Sequence, residues 1–258
     1  MATYVISDIH GNLTAFKKLL ESVNFKYTGE DKLYLLGDYV DWGPQPLESL
    51  LFVMELTKKY PNLIFPLLGN HDLMFIEQLD LLKKDSDDIY INWLYNNGGL
   101  ETFKQYLNLS DEQKQEVEQF LRSLPFRGEC EVNNKKYLLA HACPVDEFIY
   151  DNSLSEKENA DIYENKRQTA TWSRITKKFN SVIKWYDKEG IYENFICGHT
   201  ITENLDFDKD HFVIINKENN YINIDCGAKI IGYEQFWQEP QARLAMLRLD
   251  DFEVFYER

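Results

Sequence analysis

The chain is short of positive charge. Across its 258 residues, 28 Lys and Arg stand against 43 Asp and Glu, a formal net charge of −15. A surface of that sign repels nucleic-acid backbones, which argues against a broad DNA- or RNA-binding face. Any anionic substrate would need a strong local positive centre, and bound metal ions are the obvious source. Cysteine is scarce as well. Cys130, Cys143, Cys197 and Cys226 are widely spaced and form no C-x-x-C. They read as reduced, mostly buried thiols of a cytoplasmic protein. No run is long or apolar enough to span a membrane. The start, "MATYVISDIHG", lacks a basic region and a cleavable apolar stretch, so it reads as a first strand and not as a signal peptide.

What the chain does contain is a core and a rhythm. Hydrophobic residues make up 44%, enough to bury a sizeable core in one large α/β domain. "TYVIS", "KLYLLG" and "LIFPLLG" are predicted strands, the last despite its internal Pro66. Between them, "NLTAFKKLLESV" has helical spacing at Leu13, Phe16, Leu19, Leu20 and Val23, and "LESLLFVMELTKKY" is a helix ending before Pro61. This is the alternation of stacked βαβ units. From 73 to 126 the pattern is helical, with a capping box at Ser110 and Gln113, and reads as an insertion. The second half holds three hairpins: "GECEV-NN-KKYLLAH", "FVIIN-KENN-YINID" and "RLAMLRL-DD-FEVFYE". Residues 151–168 are polar and charged and read as an exposed loop. The expected architecture is a single domain over 1–258, a two-sheet β-sandwich core flanked by helices.

Five short patterns share one feature, an apolar strand followed by metal-capable side chains. They are "VISDIHG" (Asp8, His10), "YLLGDYVDWG" (Asp38, Asp41), "PLLGNHD" (Asn70, His71, Asp72), "YLLAHA" (His141) and "FICGHT" (His199). Asp8 and His10 are two apart and would point the same way in extended chain. The chain has only five histidines, and four lie in these patterns. The fifth, His211, reads as a surface residue. Each piece alone is weak, but the five together, each after a strand, mark a site at strand ends, where α/β folds carry chemistry.

These residues resemble the phosphoprotein phosphatase family of metallophosphatases, within the calcineurin-like superfamily, in its bacteriophage lambda type with bacterial relatives. The family pattern G-D-x-H-G, G-D-x-V-D-R-G, G-N-H-E/D, His, G-H reads here "SDIHG", "GDYVDWG", "GNHD", "AHA" and "GHT". Weaker stretches agree: "NWLYNNGG", "TWSR" and "NIDCGA". The resemblance implies two divalent metal ions. One would be held by Asp8, His10 and Asp38. Asp38 would bridge to the second, held also by Asn70, His141 and His199. Asp41 would orient His71, the general acid, while a water between the ions attacks phosphorus in line. Asn70 and Arg174 would contact the phosphate. An all-oxygen-and-nitrogen ligand set favours Mn²⁺, with Fe or Zn²⁺ as alternatives.

One departure stands out. The family usually has Arg after the second aspartate, and here it is Trp42. An indole cannot replace a bidentate guanidinium. Trp42 is either packing at the pocket wall, a stacking platform for a nucleobase or aromatic leaving group, or the mark of a protein that now binds without catalysing. Trp93 and Trp172 read as packing residues. Asp72 reads as a turn carboxylate, and Asp225 as a support from a strand end. The expected substrate is a Ser/Thr, or Tyr, phosphoprotein. Symmetrical dinucleoside polyphosphate hydrolysis is the alternative, and a metal-bearing binding protein the non-enzymatic one. A nuclease-like phosphodiesterase is disfavoured by the charge. No nucleic-acid or membrane partner is expected, and the oligomeric state is not legible.

Overall fold

The computed structural model describes residues 1–83, 91–175, 190–205, 212–217, 220–232 and 241–258. β1 (Thr3–Ile6) pairs in parallel with β2 (Lys32–Leu35), which pairs in parallel with β3 (Ile64–Pro66). α1 (Leu13–Ser22) and α2 (Pro46–Lys59) form the connections. Pro66 has no N–H to give a ladder, and β3 tolerates it because it is an edge strand. β9 (Leu244–Arg248) and β10 (Val254–Glu257) extend the other side, giving the order β10-β9-β1-β2-β3. The second sheet contains β4 (Gly128–Val132), β5 (Lys135–Leu139), β6 (Asn194–Cys197), β7 (Ile214–Asn216) and β8 (Tyr221–Asn223), in the order β4-β5-β6-β8-β7. All three expected hairpins pair antiparallel. The first turns through Asn133 and Asn134, both left-handed at φ +53° and +61°.

Strand alternation creates the layers. Val5, Tyr34, Leu36, Tyr137, Leu139, Ile196, Ile222 and Leu247 form one buried cluster drawn from both sheets. Their neighbours one residue away, Tyr4, Ile6, Leu33, Leu35, Leu138 and Phe195, belong instead to the larger cluster that contains the helix residues Phe16, Leu19, Leu50 and Val53. Each fully buried Leu or Phe of these layers contributes about 1.5–3 kcal/mol.

The helical region contains α3 (Asn70–Lys83), a π-helical turn (Asn92–Asn96), α4 (Gly99–Leu107) and α5 (Asp111–Ser123). α5 carries the expected capping box: Ser110 accepts from the Gln113 N–H, and Gln113 accepts from the Ser110 N–H. The exposed loop expected over 151–168 is a correction. Residues Glu156–Trp172 form a helix, α6. "SEKE" at 155–158 is a second capping box, with Ser155 Oγ accepting from Glu158 N–H and Glu158 Oε2 accepting from Ser155 N–H. Polarity disguised it. Only Asn159, Ala170 and Thr171 of α6 are buried, so no apolar stripe announces the helix. Among the described residues no helix is long and apolar enough to cross a membrane.

Candidate metal centre and active site

The segments that follow β1, β2, β3, β5 and β6 meet at one edge of the sandwich. Asp8, His10, Asp38, Asp41, Asn70, His71, His141 and His199 are all buried there. His211 lies outside the described residues. The backbone at the site is strained. Asp8, His10, Asp38, Asp41, Trp42 and His199 all have φ between +43° and +72°, a region that costs non-glycine residues about 1–3 kcal/mol each. Asp8 and His10 therefore converge for a reason other than the one expected. β1 ends at Ile6, and two left-handed residues, not an extended strand, bring His10 Nε2 to 3.9 Å from Asp8 Oδ1. Two glycines allow the close packing. A Cβ on Gly69 would lie 2.1 Å from Asp38 Oδ1, and one on Gly198 would lie 2.0 Å from Asp8 Oδ2.

Hydrogen bonds fix which ring nitrogens face inward. A carbonyl oxygen can only accept, so the nitrogen facing it carries the proton. His10 Nδ1 donates to the Val40 carbonyl at 3.0 Å, and His141 Nδ1 to the Leu36 carbonyl at 3.0 Å. His199 Nε2 donates to the Trp172 carbonyl at 3.2 Å. Their other nitrogens then present lone pairs to the centre. His10 Nε2 and His141 Nε2 lie 3.3 and 3.4 Å from the same atom, Asp38 Oδ2. His141 Nε2 is also 3.0 Å from Asn70 Oδ1 and 3.3 Å from His199 Nδ1. Burial holds His10, His141 and His199 below the ordinary histidine range, so they are neutral near pH 7. Burial, with Asp8 and Asp72 beside it, pushes Asp38 well above the carboxylate range. Imidazole lone pairs and carboxylate oxygens crowded together out of water repel one another unless a proton or a cation stands among them, and metal ions would take the place of that proton. The donor set therefore fits metal ions. Two overlapping groups, His10–Asp38–His71 and Asp38–His141–His199, bring their donor atoms within 4.8 Å of one another. Asp38 is common to both.

His71 differs from the other histidines. Its Nδ1 meets Asp41 Oδ2 at 2.7 Å. The same oxygen accepts from Trp93 Nε1 at 2.7 Å, and Asp41 Oδ1 accepts from Thr102 Oγ1 at 2.6 Å. Burial pushes Asp41 up to about 8, the Thr102 and Trp93 bonds pulling it back, and burial lowers His71. Both effects put the shared proton on the carboxyl side and leave the other His71 nitrogen, Nε2, as N–H. Asp72 accepts from the backbone N–H groups of Asp38, Gly69 and Tyr39 at 2.8, 2.9 and 3.1 Å. It clamps the turn after β2 to the start of α3, whose His71 N–H donates to Asp38 Oδ1 at 2.9 Å.

The remaining candidates stand around this core. Arg174 is exposed and donates to the His199 carbonyl at 3.1 Å. Trp42 is half-buried. Gly98 backs onto its indole so closely that a Cβ there would lie 2.9 Å from Trp42 Cδ2. Trp42 lines a cleft of about 430 Å³ with Asn12, Gln45 and Ile231. Asp225 is buried, raised by burial and by Asp8, and accepts from the Gly227 N–H at 3.0 Å. The sequence reading missed several residues that stand around these side chains. Ser7 donates to Asp8 Oδ2. Trp93 stacks on Phe75, as a packing residue would, but also bonds Asp41. Thr102 carried no signal, and neither did Lys229, a half-buried cation in the turn Ala228–Ile230.

Residues 1–244 match the family model for calcineurin-like phosphoesterases. The chain belongs to that family. Among similar proteins, the symmetrical bis(5'-nucleosyl)-tetraphosphatase of Vibrio campbellii is 42% identical over 87 residues, 34% of this chain and 31% of that protein. The enzyme of the same name from Haemophilus ducreyi is 30% identical over 162 residues, 63% of this chain and 52% of its own. The first of these alignments spans about a third of the relative's length, the second about half. A serine/threonine protein phosphatase from Saccharomyces cerevisiae superposes with a TM-score of 0.62, covering 100% of this chain and 79% of its own at 14% identity, which shows a shared fold.

Proposed function

We propose that the chain is a dinuclear-metal phosphoesterase whose substrates are symmetrical dinucleoside polyphosphates. One observation carries the catalytic part: the unprotonated nitrogens of His10, His141 and His199 converge with Asn70 Oδ1 around the Asp38 carboxylate. Asp8, His10 and Asp38 would hold one ion, and Asp38, Asn70, His141 and His199 the other. The donors are oxygen and nitrogen only, which favours Mn²⁺ and leaves Fe and Zn²⁺ as alternatives. Such ions, when bound, neutralise phosphate charge and make water a better nucleophile near neutral pH.

The chain's own residues do the rest. The Asp41–His71 pair retains its proton up to about pH 8, so His71 Nε2–H protonates the departing oxygen while Asp41 steadies the ring through Nδ1. Arg174 and Asn70 hold the phosphate in line with that proton. The substrate assignment has two supports. Relatives that share up to 42% identity with parts of this chain are named tetraphosphatases, and Trp42 lines a cleft wide enough to take a nucleobase. This puts a dinucleoside polyphosphate ahead of the phosphoprotein expected from the sequence. Four free, buried cysteines agree with a reducing, cytoplasmic setting.

Turnover of diadenosine tetraphosphate, a phosphoserine peptide and p-nitrophenyl phosphate by the Mn²⁺-loaded protein tests this reading. Diadenosine tetraphosphate should be cleaved symmetrically, with the highest kcat/KM. His71→Asn should lower kcat on the order of 10²–10⁴-fold. A higher kcat/KM for the phosphopeptide would restore the phosphoprotein as substrate. No turnover of any of the three would leave a metal-bearing binding protein.

A further inference from the structure

A phosphate entering this site meets five buried carboxyl groups, Asp8, Asp38, Asp41, Asp72 and Asp225, in a chain of net charge −15. Trp42 brings no charge to meet it. Among the described residues, two cations are candidates to meet it. Arg174 is partly engaged, donating to the His199 carbonyl at 3.1 Å. The other is Lys229.

Lys229 sits in the single turn Ala228–Ile230, entered through left-handed Gly227 at φ +81°. The turn is fastened where the site needs it. Gly227 N–H donates to Asp225 at 3.0 Å, and Ile230 N–H to the Gly227 carbonyl at 2.9 Å. The Asn12 amide nitrogen donates to the carbonyl of Ala228 at 3.0 Å and also to those of Ile9 and His10 at 2.9 and 3.0 Å. The residue before Lys229 is thus tied to the backbone of the loop that carries Asp8 and His10. Lys229 itself is half-buried, and among the described residues its ammonium has no hydrogen bond or ion pair.

The two cations come to the site from different segments. Arg174 donates to the carbonyl of His199, whereas the turn that carries Lys229 is tied through Asn12 to the carbonyls of Ile9 and His10. The His10 ring in turn packs edge-on against that of His71, centroids 4.7 Å apart.

We propose that Lys229 binds the substrate phosphate from the His10–His71 side, its ammonium donating to a non-bridging phosphoryl oxygen and supplying the positive charge that Trp42 lacks. A compact, three-donor ammonium on a flexible stem suits this task, since it needs no planar match to the anion. The role presumes the phosphoesterase reading of the same site.

Calorimetric titration of inorganic phosphate into Mn²⁺-loaded protein tests it without turnover. Lys229→Met should weaken phosphate binding and raise KM for p-nitrophenyl phosphate on the order of tenfold, with a smaller change in kcat. Lys229→Arg should stay within about threefold of the wild type in both, because it keeps the charge. Lys229→Gln, judged folded by circular dichroism, serves if the methionine variant does not fold. Unchanged phosphate affinity in a folded, metal-replete Lys229→Met or Lys229→Gln overturns the role and leaves an active wild type's hydrolase reading intact. A wild type that binds phosphate through Lys229 but cleaves no ester refutes the hydrolase reading and leaves the role standing.

Discussion

Trp93→Phe is the substitution that most directly probes how His71 is tuned. The indole does two things. It stacks on Phe75, ring centroids 5.2 Å apart, and it donates from Nε1 to Asp41 Oδ2 at 2.7 Å. Phenylalanine keeps much of the stacking and deletes the donor. Asp41 is fully buried, with Thr102 Oγ1 at 2.6 Å and His71 Nδ1 at 2.7 Å as its other side-chain partners. A hydrogen bond to a buried charged group contributes about 1.5–3 kcal/mol. Its loss makes the ionised carboxylate less favourable and strengthens the proton's hold on the pair. At about 1.4 kcal/mol per pKa unit, that raises the pair by about one to two units. Burial raises Asp41 to about 8, so kcat should fall as pH rises through the alkaline range, because the acid must be protonated to act. In Trp93→Phe the alkaline limb should move up by about one to two pH units. The plateau kcat should drop several-fold, since a weaker acid transfers its proton less readily. KM should change little, because Trp93 is fully buried. A pH–rate profile for p-nitrophenyl phosphate measures all three. An alkaline limb that stays in place would refute the coupling of Trp93 through Asp41 to His71.

Three further perturbations follow from the same geometry. In the metal-free protein, Asp41 is raised to about 8 and Asp38, Asp72 and Asp225 are raised as well, so the folded state holds these protons more tightly than the unfolded chain. That stability is full below about pH 4 and is lost as pH rises through the folded values; the lowered histidines oppose it only below about pH 6.5. Denaturant melts should therefore show metal-free stability falling between about pH 6.5 and 8, on the order of 1.5 kcal/mol from Asp41 alone, with Mn²⁺ reducing the fall. Asp72→Ala strands three buried N–H groups, those of Asp38, Tyr39 and Gly69; urea unfolding should register a loss of about 3–5 kcal/mol, and a loss under about 1 kcal/mol would deny the clamp. Gly69→Ala would put a Cβ 2.1 Å from Asp38 Oδ1 and should lower Mn²⁺ affinity at least about tenfold by calorimetry, because the shared ligand must move.

Strand-and-helix order was legible because it rests on local periodicity. β1, α1, β2, α2 and β3 follow from apolar spacing of 2 and 3.6, and the Asn133–Asn134 turn from side chains that tolerate positive φ. The motifs with metal-capable side chains were legible because their residue types are costly after an apolar strand unless something holds them. α6 was missed because its helical signal is a capping box without an apolar stripe. The convergence of Asp8 and His10 was expected for the wrong reason: both positions are left-handed and not extended, and the missing side chains of Gly43 and Gly198 leave room for the close approach of His10 and Asp8.

By itself the sequence determined which residue types could carry the chemistry and at which strand ends they would lie. Only the tertiary structure decided which nitrogen of each histidine faces the centre and that Trp93 and Thr102 both bond Asp41. These depend on contacts between segments far apart in the chain. A carbonyl of Leu36 orients His141, and an amide of Asn12 ties down the turn before Lys229. Local sequence sets conformational preference, but direction and proximity come from what packs against what.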